Sequence, residues 1–184
     1  MLPDLRRATL ADVPQLRTLI RASVSILSDR YYSPNQITSA LSHVFGVDTQ
    51  LILDGTYFVV EAENEIAGCG GWSKRKTLFG GDQTKSDQTM TDETDRLLDP
   101  ATEAARIRAF YIHPRWARRG FGSRILKACE EAARAAGFSR VELIATLPGE
   151  PLYSAAGYVN LGPFEIPLPD APPLPAFRME KRLS

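Results

Sequence analysis

The sequence predicts an α/β fold, in the mixed α+β sense, built as one domain over residues 1–184 with a central sheet of six to seven strands flanked by helices. Three observations lead there. Segments whose apolar residues recur at helical spacing alternate with short runs of β-forming residues. The stretch from 106 to 145 reads strand, helix, strand, the pattern of a β-α-β crossover. A length of 184 residues at 43% hydrophobic content fills one core without disulfides or metals.

The elements follow in order. Residues 5–8 form a short strand, and Thr9 caps a helix whose stripe is Val13, Leu16, Leu19, Ile20 and Val24. Pro34, after Ser33, suits the first turn of a second helix with Ile37, Ala40, Leu41 and Val44 on one face, ended by Gly46. Beyond the turn Asp54-Gly55, residues 57–62 and 66–72 read as an antiparallel hairpin turned at 63–65. Residues 73–104 are polar and weakly periodic, long for a structureless loop, and such loops border sites. Residues 106–112 form a strand. From Gly120 the positions Ile125, Leu126, Cys129, Ala133 and Ala136 make a helical stripe that Gly137 ends. Residues 141–145 form the next strand, 151–156 a short helix, and 158–166 and 177–181 two last strands separated by a proline-rich loop over 167–175.

Composition excludes several classes. Lysine plus arginine number 22 and aspartate plus glutamate 22, so no global field draws the chain to nucleic acid or to an anionic membrane. Cys69 and Cys129 are too few for a disulfide framework and lie in apolar stretches, which suits a reducing cytoplasm. The N-terminus lacks a signal-peptide pattern and no stretch has the length of a membrane span, so the chain is expected to be soluble and cytoplasmic. His43 and His113 have no metal-ligand partners at useful spacing, and no metal is expected.

The chemistry concentrates between Phe110 and Ser123. This stretch closes a strand, turns, and opens an amphipathic helix, the arrangement of an anion site. The first helical N–H groups have no internal partner, and Gly120 and Gly122 let backbone approach a phosphate with no Cβ between. Arg118 and Arg119 add charge at the edge. The helix dipole alone contributes roughly 0.3–1 kcal/mol, so useful affinity calls for several N–H bonds and a larger ligand, such as a pyrophosphate with a long arm.

Here the chain resembles the GCN5-related N-acetyltransferase superfamily, whose signature is a strand, a turn, Arg/Gln-x-x-Gly-x-Gly/Ala and the start of the central helix. Ala117-Arg118-Arg119-Gly120-Phe121-Gly122 matches both glycines and departs at the first position. A second match is Leu152-Tyr153-Ser154-Ala155-Ala156-Gly157-Tyr158, similar to the family's (Phe/Leu)-Tyr-x-x-x-Gly-(Phe/Tyr). The resemblance implies a mostly antiparallel sheet and acetyl-CoA as cosubstrate. It implies that the amides of Arg118, Arg119, Gly120, Phe121, Gly122 and Ser123 hold the pyrophosphate. The main chain of Phe110, Tyr111 and Ile112 would pair with the pantetheine arm in a gap between splayed strands, and a backbone N–H there would meet the thioester oxygen. Tyr153 becomes the candidate general acid for the departing thiolate. Thr146 stands where the family often has asparagine.

By the same resemblance Tyr31, Tyr32, Trp72 and Arg75 are the substrate-pocket candidates, with Lys76 beside them. The expected acceptor is a small-molecule amine or a protein or peptide amino group, attacking directly in a ternary complex, with a homodimer left open as the assembly. The general base is not evident. The strand 106–112 holds no carboxylate, which leaves Glu142, Glu61, Glu63 or a water chain. A non-catalytic acyl-CoA-binding or regulatory module remains the alternative, and a Rossmann unit is weaker because the third glycine is missing.

Overall fold

The computed structural model describes residues 4–87 and 96–184, so part of the polar 73–104 stretch, residues 88–95, lies outside the described residues. Seven strands form one sheet in the order β1-β2-β3-β4-β5-β7-β6. The strands are β1 (Asp4–Arg7), β2 (Tyr57–Ala62), β3 (Glu65–Ser73), β4 (Ala105–Ile112), β5 (Arg140–Thr146), β6 (Val159–Ile166) and β7 (Leu174–Arg182). Every neighbouring pair is antiparallel except β4 and β5. That exception is the predicted crossover.

Alternation along β2 divides the core. Val59 faces one side, with α1 (Val13–Leu27), α2 (Pro34–His43) and α3 (Thr49–Leu53), while Val60 faces the other, with α5 (Phe121–Ala135). On α1 the buried residues are Leu16, Leu19, Ile20, Ser23 and Val24, so four of the five predicted positions are buried, Val13 at the helix start is half-buried, and Ser23 joins the face. On α5 they are Phe121, Gly122, Ile125, Leu126, Cys129 and Ala133. Ser33 caps α2, its hydroxyl accepting from Gln36 N while Gln36 Oε1 accepts from Ser33 N.

Three details depart from the sequence reading. The loop after β3 contains a short helix, α4 (Asp82–Asp87), and its two ends are bridged by Arg75 and Leu97. α3 arises where no helix is expected, its five residues being too few for a periodic signal. β7 starts at Leu174 and so takes in Pro175, which belongs to the expected loop. The β5 ladder stops at Thr146 opposite Ala176, so Pro175 has only β6 beside it, an edge-like position that tolerates a missing N–H.

Candidate active site

β4 and β5 pair only at Ala105 with Val141 and Arg106 with Glu142. Past Arg106 the two strands part. The cause lies on β4, where Ala109 takes a left-handed φ of 58° and the β3–β4 register shifts, while β5 stays with β7 along its full length. A cavity of about 470 Å3 fills the gap, walled by residues 107–112 on one side and Ile144, Thr146 and Tyr153 on the other. That volume suits a cofactor-sized arm, and the β4 edge facing it has no strand partner.

One mouth of the cavity is the start of α5. Phe121 is its first residue, and Gly120 precedes it with φ 83°, a left-handed conformation that suits glycine. Arg118 is left-handed too, with φ 63°. Alternation of this kind turns successive amides into one concavity. None of the N–H groups of Arg118 through Ser123 donates to a protein acceptor among the described residues. A Cβ built on Gly120 meets nothing within 4 Å, so the space in front of the amides is open. These features fit a diphosphate.

The side chains divide differently from the amides. Arg118 lines the cavity, whereas Arg119 lays its guanidinium over the Trp116 ring, 5.0 Å from the centroid. Arg115 does the same at 4.9 Å. Phe110, Tyr111, Ile112, Gly120, Phe121, Gly122 and Ser123 all border the cavity.

Tyr153 lines the cavity from α6 (Glu150–Ala155), with its ring edge-on to Phe110 and Tyr158. Its hydroxyl makes no hydrogen bond to protein among the described residues. Burial first, then the Cys129 sulfur, holds its pKa above the ordinary tyrosine range, which favours the neutral hydroxyl.

The four acceptor-pocket candidates are not brought to the cavity. Tyr31 points to solvent at 49% exposure. Tyr32 is buried and bonded at both lone pair and proton, accepting from Leu147 N at 2.9 Å and donating to Pro175 O at 2.8 Å. Trp72 packs edge-on against Phe138 in the core. Arg75 grips Asp54 through two bonds of 2.8 and 3.0 Å and holds that carboxyl below its ordinary pKa.

The candidate bases are committed elsewhere. Glu142 is buried and paired with Arg106 and with Arg178. Glu61 binds Arg6, and Glu63 binds Arg115. Residues that the sequence reading passed over also line the cavity: Ser23 and Leu27 of α1, Ser28 just after it, Phe45, residues 78–80, and Arg108. A signal for Arg108 was present, since two arginines at alternate positions of an interior strand require buried partners. Among the described residues no group of three or more His, Cys, Asp or Glu side chains converges as a metal site.

No curated protein matches the chain. Solved structures do. A GCN5-related N-acetyltransferase from Rhodopseudomonas palustris superposes with TM-score 0.71 at 18% identity, covering 100% of this chain and 97% of its own. The PaiA N-acetyltransferase of Thermoplasma acidophilum in complex with coenzyme A gives TM-score 0.65 at 14% identity, covering 99% of each. The putative acetyltransferase YncA of Salmonella typhimurium, with its cofactor acetyl-CoA, gives 0.63 at 15% identity, covering 100% of this chain and 95% of its own. These likenesses establish the fold. The family profile "Acetyltransferase (GNAT) family" matches residues 24–158, most of the sheet and the whole cavity mouth, and the chain therefore belongs to the GNAT family of acetyltransferases.

Proposed function

We propose that this chain transfers an acetyl group from acetyl-CoA to a primary amine, by direct attack in a ternary complex, at the cavity between β4 and β5. The observation that carries the residue assignment is the run of six amides at Arg118 through Ser123, without protein acceptors, opening onto a cavity whose β4 wall is an unpaired strand edge. Bound acetyl-CoA supplies an activated thioester; the protein supplies everything that orients and discharges it. The six amides and Arg118 hold the pyrophosphate, and the α5 dipole adds to them. The free edge of β4 at Phe110 through Ile112 pairs with the pantetheine arm, and one N–H of that edge stabilises the oxygen of the thioester as it takes up charge. As the C–N bond forms and the C–S bond breaks, the Tyr153 hydroxyl gives its proton to the departing sulfur. The amine's own proton leaves to water, because no carboxylate or imidazole lines the cavity among the described residues.

The same reading extends to a reducing cytoplasm, which two buried free thiols suit, and to a homodimer, which sedimentation would test. No helix among the described residues is long and apolar enough to cross a membrane. The deciding experiment pairs calorimetric titration of acetyl-CoA with thiol release over a panel of amines. Micromolar binding with turnover on at least one amine is expected. Binding with no turnover on any amine would mark a binding module, and absence of binding would remove the site assignment altogether.

A further inference from the structure

The cavity passes through the sheet. Along β4 the side chains alternate, Phe110 and Ile112 packing with α5 on one face, Ala109 and Tyr111 packing with α1 on the other. The amides of Arg118 through Ser123 belong to the α5 face. On the opposite face the lining is a separate set: Leu27, Phe45, Leu78, Phe79, Ile144 and Ile166. Phe45, whose ring meets Tyr111 edge-on at 6.3 Å, packs against the α1 cluster. It packs equally against the cluster that holds Phe79, Ile144 and Ile166, which puts these three on the α1 side.

Part of this α1-side compartment is apolar surface left without a partner. Leu27 and Leu78 are half-buried yet belong to none of the hydrophobic clusters among the described residues, and Phe45 and Phe79 are half-buried as well. No acid lines the cavity among the described residues. Of the two lining arginines, Arg118 stands with the amides, and Arg108 is 4% exposed and already paired with the buried Asp48. A second positive charge on the acceptor would therefore lose water with no counterion to meet, and a carboxylate would find no free cation. An uncharged apolar body gains instead, roughly in proportion to the area it withdraws from water. The same walls disfavour the ammonium form of the bound amine, so burial itself shifts the reacting nitrogen toward the free base.

Resting on the acetyl-transfer reading above, we propose that the acceptor is a small monoamine with an uncharged aromatic or branched-aliphatic body, held on the α1 side of the cavity. The cofactor arm enters from the α5 face and the amine from the α1 face, so the two meet in the gap between β4 and β5, as direct attack requires. The whole cavity holds about 470 Å3, shared with the cofactor arm, which restricts the body to the size of a small molecule. Leu27, Phe45, Leu78 and Phe79 are then specificity-determining residues.

The test measures kcat/KM at saturating acetyl-CoA for 2-phenylethylamine, ethanolamine, putrescine and phenylalanine. The phenylethylamine is expected to exceed ethanolamine, which lacks the apolar body, by about tenfold or more, and to exceed putrescine and phenylalanine, which bring a second charge, by a wider margin. Acetyl-CoA is expected to be a better donor to it than hexanoyl-CoA. Leu27→Ala and Phe79→Ala should each reduce the ratio of phenylethylamine to ethanolamine by about fivefold, through KM, with calorimetric binding of acetyl-CoA as the check that the variant is folded. If neither variant folds, the native ranking alone decides. Parity with ethanolamine, preference for putrescine or phenylalanine, turnover confined to peptide amino groups, or an unchanged ratio in a folded variant each overturns the acceptor assignment. Faster transfer from hexanoyl-CoA overturns it too, by giving the compartment to the acyl chain. Failure of acetyl-CoA to bind the native chain, or binding with no turnover on any amine, would instead overturn the function on which it rests.

Discussion

Tyr153 is held by rings on two sides, with centroids 6.1 Å from Phe110 and 5.6 Å from Tyr158, so its position does not depend on its hydroxyl. Tyr153→Phe therefore keeps the packing and removes only the proton donor. Its kcat is expected to fall by roughly 10²-fold while acetyl-CoA affinity stays within twofold, as single-turnover and calorimetric measurements would show. A smaller change in kcat would leave Tyr153 as a wall residue. Gly70 lies against the Phe110 ring of the same group. A Cβ at that position would come within 2.5 Å of the Phe110 ring, which lines the cavity. Gly70→Ala is expected to drive Phe110 toward the cofactor space and weaken acetyl-CoA binding by about tenfold, a larger effect than its loss of thermal stability explains.

At the scale of elements, the start of α5 combines what could be read in the sequence with what could not. Gly120, Gly122 and the stripe from Ile125 to Ala133 announce the helix and the open glycine turn at its start. Which side chains flank that end is set by Trp116, whose ring holds Arg119, a long-range packing choice with no local signal. Gly120→Ala forces a Cβ into the left-handed region at a cost of about 1 kcal/mol, and places a methyl where only open space now lies. Acetyl-CoA affinity should drop at least tenfold in calorimetry, and equal affinity would mean that the phosphates lie elsewhere. The β1–α1 junction gives a second prediction. Asp12 takes two bonds from Arg6, of 2.9 and 2.8 Å, and one from Thr9 N, and the Arg6 bonds above all lower its pKa from 3.8 to about 2. A depressed carboxyl stabilises the fold above its ordinary pKa and loses that contribution as pH falls toward the folded value. Asp12→Asn should thus be less stable than the native chain at pH 7, and the difference should close between pH 4 and 2 in denaturant titrations.

Across the whole molecule, periodicity in the sequence specifies the strands and the two large helices, because each buries one face. It does not specify where strands separate. The splay of β4 from β5 depends on a bulge at Ala109 and on β5 keeping β7 as its partner, pairings between residues far apart in the chain. For the same reason the places of Tyr32, Trp72 and Arg75 are not legible in the sequence: they are drawn into bonds and packing with Pro175, Phe138 and Asp54 that no short window contains. The cavity that results lies between a four-stranded half, β1 to β4, and a three-stranded half, β5 to β7, joined at their meeting edge by two residue pairs. A ligand spanning β4, α5 and α6 ties the halves together in the native state only. At a concentration of a hundred times Kd, acetyl-CoA should add about 2.7 kcal/mol to the unfolding free energy. For a chain of this size that corresponds to a rise in Tm of about 5–10 °C in a calorimetric scan. Gly120→Ala, tenfold weaker, should show about half that rise at the same concentration. An equal rise in native and variant chains would mean that the stabilising contact is made away from the mouth of α5.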